Sequence, residues 1–272
     1  MQYRLFFIAI LLLLFSCNKK EIDARAHLKK ARNFYENADY NSAQKILDSL
    51  KTLYPNHLKV RKEVLRLGRL VKLEQQTQNI AIFDSLLQIR LAQRDSMKTA
   101  FVFEKKTEYD NIGKYYAKSQ ILENNLRRSY IRSGVNELGV MELASIYCGA
   151  QPIRHTGLKV SGAEGEYTET EAIPHDGGMN YSFTDLNMTI ETVTYTGKKD
   201  NGVIQFIYNN MDVPIKAEYT GGNGKYAIAV SQADKAALAN IRDFSIILSD
   251  ISRLNKEIEK SSLRIAYFRQ KI

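Results

Sequence analysis

At 272 residues, with 44% hydrophobic and 25% charged residues, the chain is long enough for one or two domains with a sizeable core. Two cysteines and four histidines, none at metal-site spacing, exclude a disulfide framework and a zinc-type centre. The formal charge of +9 calls for anionic surroundings: nucleic acid, a membrane surface or a polyanionic polymer.

The chain opens with Met1-Gln2-Tyr3-Arg4, then an unbroken apolar run from Leu5 to Phe15. Asn18-Lys19-Lys20 ends that run well short of the about 20 residues needed to cross a bilayer. This is the pattern of an export signal. Leu14-Phe15-Ser16-Cys17 resembles the lipobox of bacterial lipoproteins, with an aliphatic residue three before the cysteine and a small one directly before it. The resemblance implies cleavage of residues 1–16, a diacylglycerol thioether on Cys17 and acylation of the new amine. One acyl chain holds a protein marginally, whereas two or three anchor it. The expected location is the cell envelope, as a palmitate-bearing lipoprotein of the outer membrane facing the periplasm. There an anionic membrane or envelope polymer is a better partner for the basic charge than nucleic acid. With Cys17 lipidated, Cys148 is left as a lone thiol in the apolar stretch Leu143–Cys148, expected to be buried.

Residues 17–23 read as a tether and 24–129 as a helical arm. Within that arm, Ala31, Phe34, Ala43, Leu47, Leu50 and Pro55 stand where a tetratricopeptide repeat places its small, aromatic and closing residues. Asp39-Tyr40 falls at the turn, and His27 replaces the usual leading tryptophan. The resemblance implies one TPR-like helical hairpin. No second copy follows, so a packed hairpin without a peptide groove is expected rather than a solenoid. Val60, Val64, Leu67 and Val71, then Ile82, Leu86 and Ile89, follow coiled-coil spacing, and residues 101–128 remain helix-compatible.

From 130 to 231 the texture changes to short β-rich runs broken by glycine. Strands are expected at Tyr130–Ser133, Val140–Cys148, Ile153–Val160, Met188–Thr196, Val203–Tyr208, Val213–Tyr219 and Tyr226–Val230. Residues 161–178 read as a long acidic loop, and Gly221-Gly222-Asn223-Gly224 as a hairpin turn. Residues 232–272 return to helix, with a stripe at Ile241, Phe244, Leu248, Ile251, Ile258 and Ile265 that also carries Asn255 and Ser262. The expected fold is therefore α+β: helical arms, TPR-like hairpin plus antiparallel coiled coil, flanking an inserted antiparallel β module. An intermolecular coil, and with it a homo-oligomer, is the alternative use of the stripe.

Little chemistry is legible. His155 and His175 flank the acidic loop, where His175 and Asp176 with Glu164, Glu166, Glu169 or Glu171 form the one local titratable grouping; a solvated loop is the simpler reading. No phosphate loop and no nucleophile elbow is present, so no catalytic residue, metal or cofactor is expected. The expected function is a non-enzymatic, lipid-anchored interaction or scaffold protein presenting its β module to a protein or envelope polymer. The alternative is an envelope ligand-binding protein or enzyme with its site in that module. A bare convex sheet would fit the first, and a deep cleft with titratable groups the second.

Overall fold

The computed structural model describes residues 20–55, 57–105, 112–224 and 226–272. Expectations for residues 1–19, Cys17 among them, lie outside these. The described chain is α+β and divides into two compact units, residues 20–86 with 254–272, and residues 87–253.

The helical unit begins with α1 (20–36), α2 (Tyr40–Leu53) and the first part of α3 (Leu58–Lys98). Residues 20–23, expected to belong to a tether, are helical. An i,i+4 pair, Glu21 with Arg25 at 2.8 Å, supports this first turn. Asp39 caps α2 by accepting from the Ser42 N–H at 3.0 Å, and the preceding Ala38 turns the chain at φ +59°. Ala24, Leu28 and Ala31 of α1, Ala43, Leu47 and Leu50 of α2, and Val60, Val64, Leu67 and Val71 of α3 bury one another. The α3 residues expected to form a coiled-coil seam are thus spent on a three-helix core. The last stretch of α5 (Gln232–Lys271) belongs to this unit and runs antiparallel to α3. Arg69 donates to the Lys271 carbonyl, and Arg264 to Gln76 at 3.4 Å.

Two details of the expected stripes are corrected. Ile82, Leu86 and Ile89 are exposed, while Leu87 is buried and Ile80 and Phe83 half-buried. Helix α3 carries apolar residues on two faces, and periodicity alone cannot choose between them. On α5, Asn255 and Ser262 point to solvent, and Leu254 and Ser261 occupy the buried positions one residue earlier.

The second unit holds ten strands among the described residues: β1 (Phe101–Glu104), β2 (Lys114–Ala117), β3 (Tyr130–Asn136), β4 (Met141–Gly149), β5 (Gly157–Ser161), β6 (Tyr167–Glu169), β7 (Asn180–Asp185), β8 (Met188–Tyr195), β9 (Lys216–Thr220) and β10 (Tyr226–Ala229). All pairings are antiparallel, in a six-stranded sheet ordered β1-β2-β3-β4-β8-β7 and a four-stranded sheet ordered β10-β9-β5-β6.

The helical arm therefore does not extend to 129. It stops at Lys98, and β1 and β2 follow, with Phe103 opposite Tyr115 at 4.8 Å between ring centroids. Aromatic cross-strand pairs outweigh the weak helical spacing of this stretch. Val203–Tyr208, expected as a strand, lies in helix α4 (Val203–Asn209), opened by Gly202 at φ +87°. Its fully buried residues are Val203 and Ile207, four apart, so tertiary packing overrides β-propensity. The expected loop 161–178 contains β6, and β7 was unassigned.

One face of the larger sheet is doubly covered. Ile131, Leu143, Val193 and Tyr195 pack against Leu158, Val160, Ala217 and Tyr219 of the smaller sheet and against α4. Phe101, Tyr115 and Val135 pack against Ala237, Ile241, Phe244 and Leu248 of α5. Helix α5 starts at a capping box: the Asp234 N–H donates to Ser231 Oγ, whose hydroxyl donates back to the Asp234 carboxylate. Arg128 grips that carboxylate bidentately at 2.7 and 2.8 Å. At the β3–β4 turn, Gly139 (φ +81°) lies so close to α5 that a Cβ would come within 2.3 Å of the Ser249 backbone nitrogen.

Candidate functional site: the open face of the larger sheet

Side chains alternate across a strand, so residues between the covered ones share the opposite face. Glu104, Lys114, Tyr116, Arg132, Gly134, Glu142, Ala144, Ile146, Thr192 and Thr194 line a groove of about 690 Å³ there, closed on one side by Met179, Tyr181 and Phe183. Ala144 and Ile146 are buried at its floor, and Leu122, from outside the sheet, joins its lining. Gly134 is required in its floor: a Cβ there would lie 2.5 Å from the Tyr116 ring.

The two sides of the groove differ. On one, Lys114 Nζ pairs with Glu142 at 2.6 Å, and the Tyr116 hydroxyl donates to the same carboxylate at 2.7 Å. Arg132 donates to Glu104 at 2.9 Å and lays its guanidinium 3.7 Å over the Tyr116 ring. Burial, and then the Glu142 charge, push the Tyr116 phenol far above its ordinary pKa, so it stays a donor at any physiological pH. The buried Arg132 Nε has no acceptor among the described residues. On the other side, β7 presents Tyr181 and Phe183 with nearly parallel rings 6.4 Å apart, about half exposed. Asp176 holds the entry to β7 by accepting from the Gly178 and Asn180 N–H groups; those bonds keep its carboxyl below the usual range.

These charges satisfy one another. The groove therefore offers hydrogen bonds, a cation and aromatic faces, but no base poised beside a nucleophile.

The sequence-level candidate at His175 does not assemble. His175 and Glu164, Glu166, Glu169 and Glu171 are exposed, and among the described residues no cluster of three His, Cys, Asp or Glu could hold a metal. Cys148 is buried. His27 and His57 lie in the helical unit beside Tyr54.

His155 has partners that sequence reading missed. Its Nε2 lies 2.9 Å from Ser145 Oγ and its Nδ1 2.9 Å from Glu191, the order of a hydroxyl, imidazole and carboxylate relay. All three are buried, at 0%, 0% and 1% exposure. Ser145 Oγ is also engaged by the Tyr195 hydroxyl, and Glu191 accepts the N–H groups of Ile153, Arg154 and His155. With no surface open to a substrate, the relay acts as a clasp tying the 153–155 loop to the sheet. Its members face inward, whereas Ile190 and Thr192, flanking Glu191, line the groove. No local spacing links β4, the loop and β8, so no motif could have revealed it. The groove's aromatic edge did have a signal: the alternation Asn-Tyr-Ser-Phe-Thr-Asp directly ahead of a strand.

No protein-family model, curated protein or solved structure matches this chain. The class defined by the fold is a two-unit α+β protein with a groove on one face of an antiparallel sheet.

Proposed function

We propose that the chain is a lipid-anchored, non-enzymatic binding protein of the cell envelope, whose β unit takes an extended segment of a protein or envelope polymer into the groove. The observation that carries this is the pairing of an exposed aromatic edge with a self-neutralised polar side. The surface is concave and holds titratable groups, which moves the reading from a bare docking head toward the ligand-binding alternative. Its volume falls within the about 300–1,000 Å³ of ordinary ligand sites. Mutual pairing of its charges favours binding over catalysis.

The test places a photo-crosslinker at Thr192 and captures partners in intact cells. Replacing Tyr181 and Phe183 with alanine should leave the circular dichroism unchanged and abolish capture, each ring being worth about 2 kcal/mol if it is a hot spot. Capture that persists in the folded double variant would overturn the proposal.

A further inference from the structure

The basic charge of this protein is unevenly held. Residues 20–86 and 254–272 carry 18 Lys and Arg against 10 Asp and Glu, whereas residues 87–253 carry 19 against 20. The excess thus belongs to the helical unit.

Within that unit it meets exposed aliphatic side chains at one end. The starts of α1 and α3 are neighbours, since Glu21, His57, Leu58, Lys59 and Val60 line one shallow depression. Arg25, Lys29 and Arg32 of α1 line the next, together with Glu63 of α3. Ile22 is 66% and Leu58 71% exposed. The acidic groups here are Glu21, held by Arg25; Glu63, which meets Arg32 at 3.5 Å; and the exposed Asp23. Lys29, Lys62 and Arg66 are exposed and form no ion pair among the described residues. Opening a helix on Lys59, Arg61 and Lys62 with no acidic residue in its first turn also opposes the helix dipole.

We propose that this end of the helical unit rests on the anionic lipid headgroups of the membrane that carries the anchor, with Ile22 and Leu58 entering the acyl boundary. Cationic side chains gather at an anionic leaflet, and aliphatic ones between them gain by leaving water. Nucleic acid would satisfy the cations but offers nothing to Ile22 and Leu58. The inference rests on acylation at Cys17: three residues reach no more than roughly 11 Å, so the start of α1 would be held at the bilayer surface.

The acylated full chain, with Leu58→Cys carrying a fluorophore and the buried Cys148 unlabelled, is reconstituted in vesicles containing nitroxide-labelled lipid. One set is phosphatidylcholine alone, and the other includes phosphatidylglycerol. Quenching should be several-fold stronger with phosphatidylglycerol, fall in high salt, and fall in the Lys29→Glu, Lys62→Glu, Arg66→Glu variant. Equal quenching in both lipid sets, or in the variant, would overturn the proposal. Attachment to phosphatidylcholine alone reads the anchor separately. If it is absent while charge-dependent quenching persists, the docking face stands and the acylation reading falls. Quenching relieved by added oligonucleotide at the same ionic strength would reassign the face to nucleic acid and overturn it too.

Discussion

Glu191 shows how much a single carboxylate can organise. Burial raises its pKa, but the bonds from His155 and from the Arg154 and His155 N–H groups outweigh this and hold it below the ordinary glutamate value. A carboxyl depressed in the folded state stabilises the fold above its unfolded pKa, and this stabilisation is lost as pH falls through the folded value. Asp234, buried but bonded by Arg128, Ser231 and Gln120, shifts in the same direction. The protein should therefore hold its stability near neutrality and lose it on acidification below the ordinary carboxylate range. Glu191→Gln should cost about 1–3 kcal/mol at neutral pH, because the carboxamide cannot accept all the bonds from Ile153, Arg154 and His155, and should flatten the acid limb of the stability curve. Chemical denaturation across pH measures both. An unchanged acid limb would show that the clasp contributes nothing there.

At the scale of elements, prediction and structure part company where one apolar stretch satisfies two periodicities. Helix α5 was legible because its apolar stripe is long and regular. The hairpin turn at Gly221–Gly224 was legible because glycine-rich turns join β9 to β10 as expected. Val203–Tyr208 was misread because every residue but Gln205 suits a strand, and only its packing partners select Val203 and Ile207 as one helical face. Phe101–Glu104 and Lys114–Ala117 were misread because Ile112, Tyr115 and Tyr116 stand at helical spacing, three and four apart, while Phe101 and Phe103 alternate as in a strand. The choice between the two faces of α3 can be tested directly. Leu87→Ala, on the buried face, should cost about 2–5 kcal/mol. Ile82→Ala, on the exposed face, should stay within about 0.5 kcal/mol. Comparable losses in thermal melts of the two variants would put Ile82 back in a seam, and a melt that rises with concentration would make that seam intermolecular.

For the molecule as a whole, the α+β class and the placing of a β module between helical segments were legible. The groove was not, because its two sides come from β1–β4 and from β7, three of which the sequence reading did not assign. The division of charge between the units is arithmetic on the sequence, yet it acquires meaning only when the units are known. It makes the anchor prediction sharper. Cys17→Ser should abolish incorporation of labelled palmitate and move the protein out of the membrane fraction at high salt. Retention there in high salt, with palmitate lost, would point to a second means of attachment.

The cover over Phe101, Tyr115 and Val135 is supplied by α5, which follows every strand of the unit in sequence. Until a ribosome has finished residues 232–271, a newly made β unit has an oily flank with nothing to close it. Folding of this unit must therefore wait for α5, and a chain truncated before that helix should expose the flank and behave as a target for holding chaperones and proteases rather than as a shorter version of the protein.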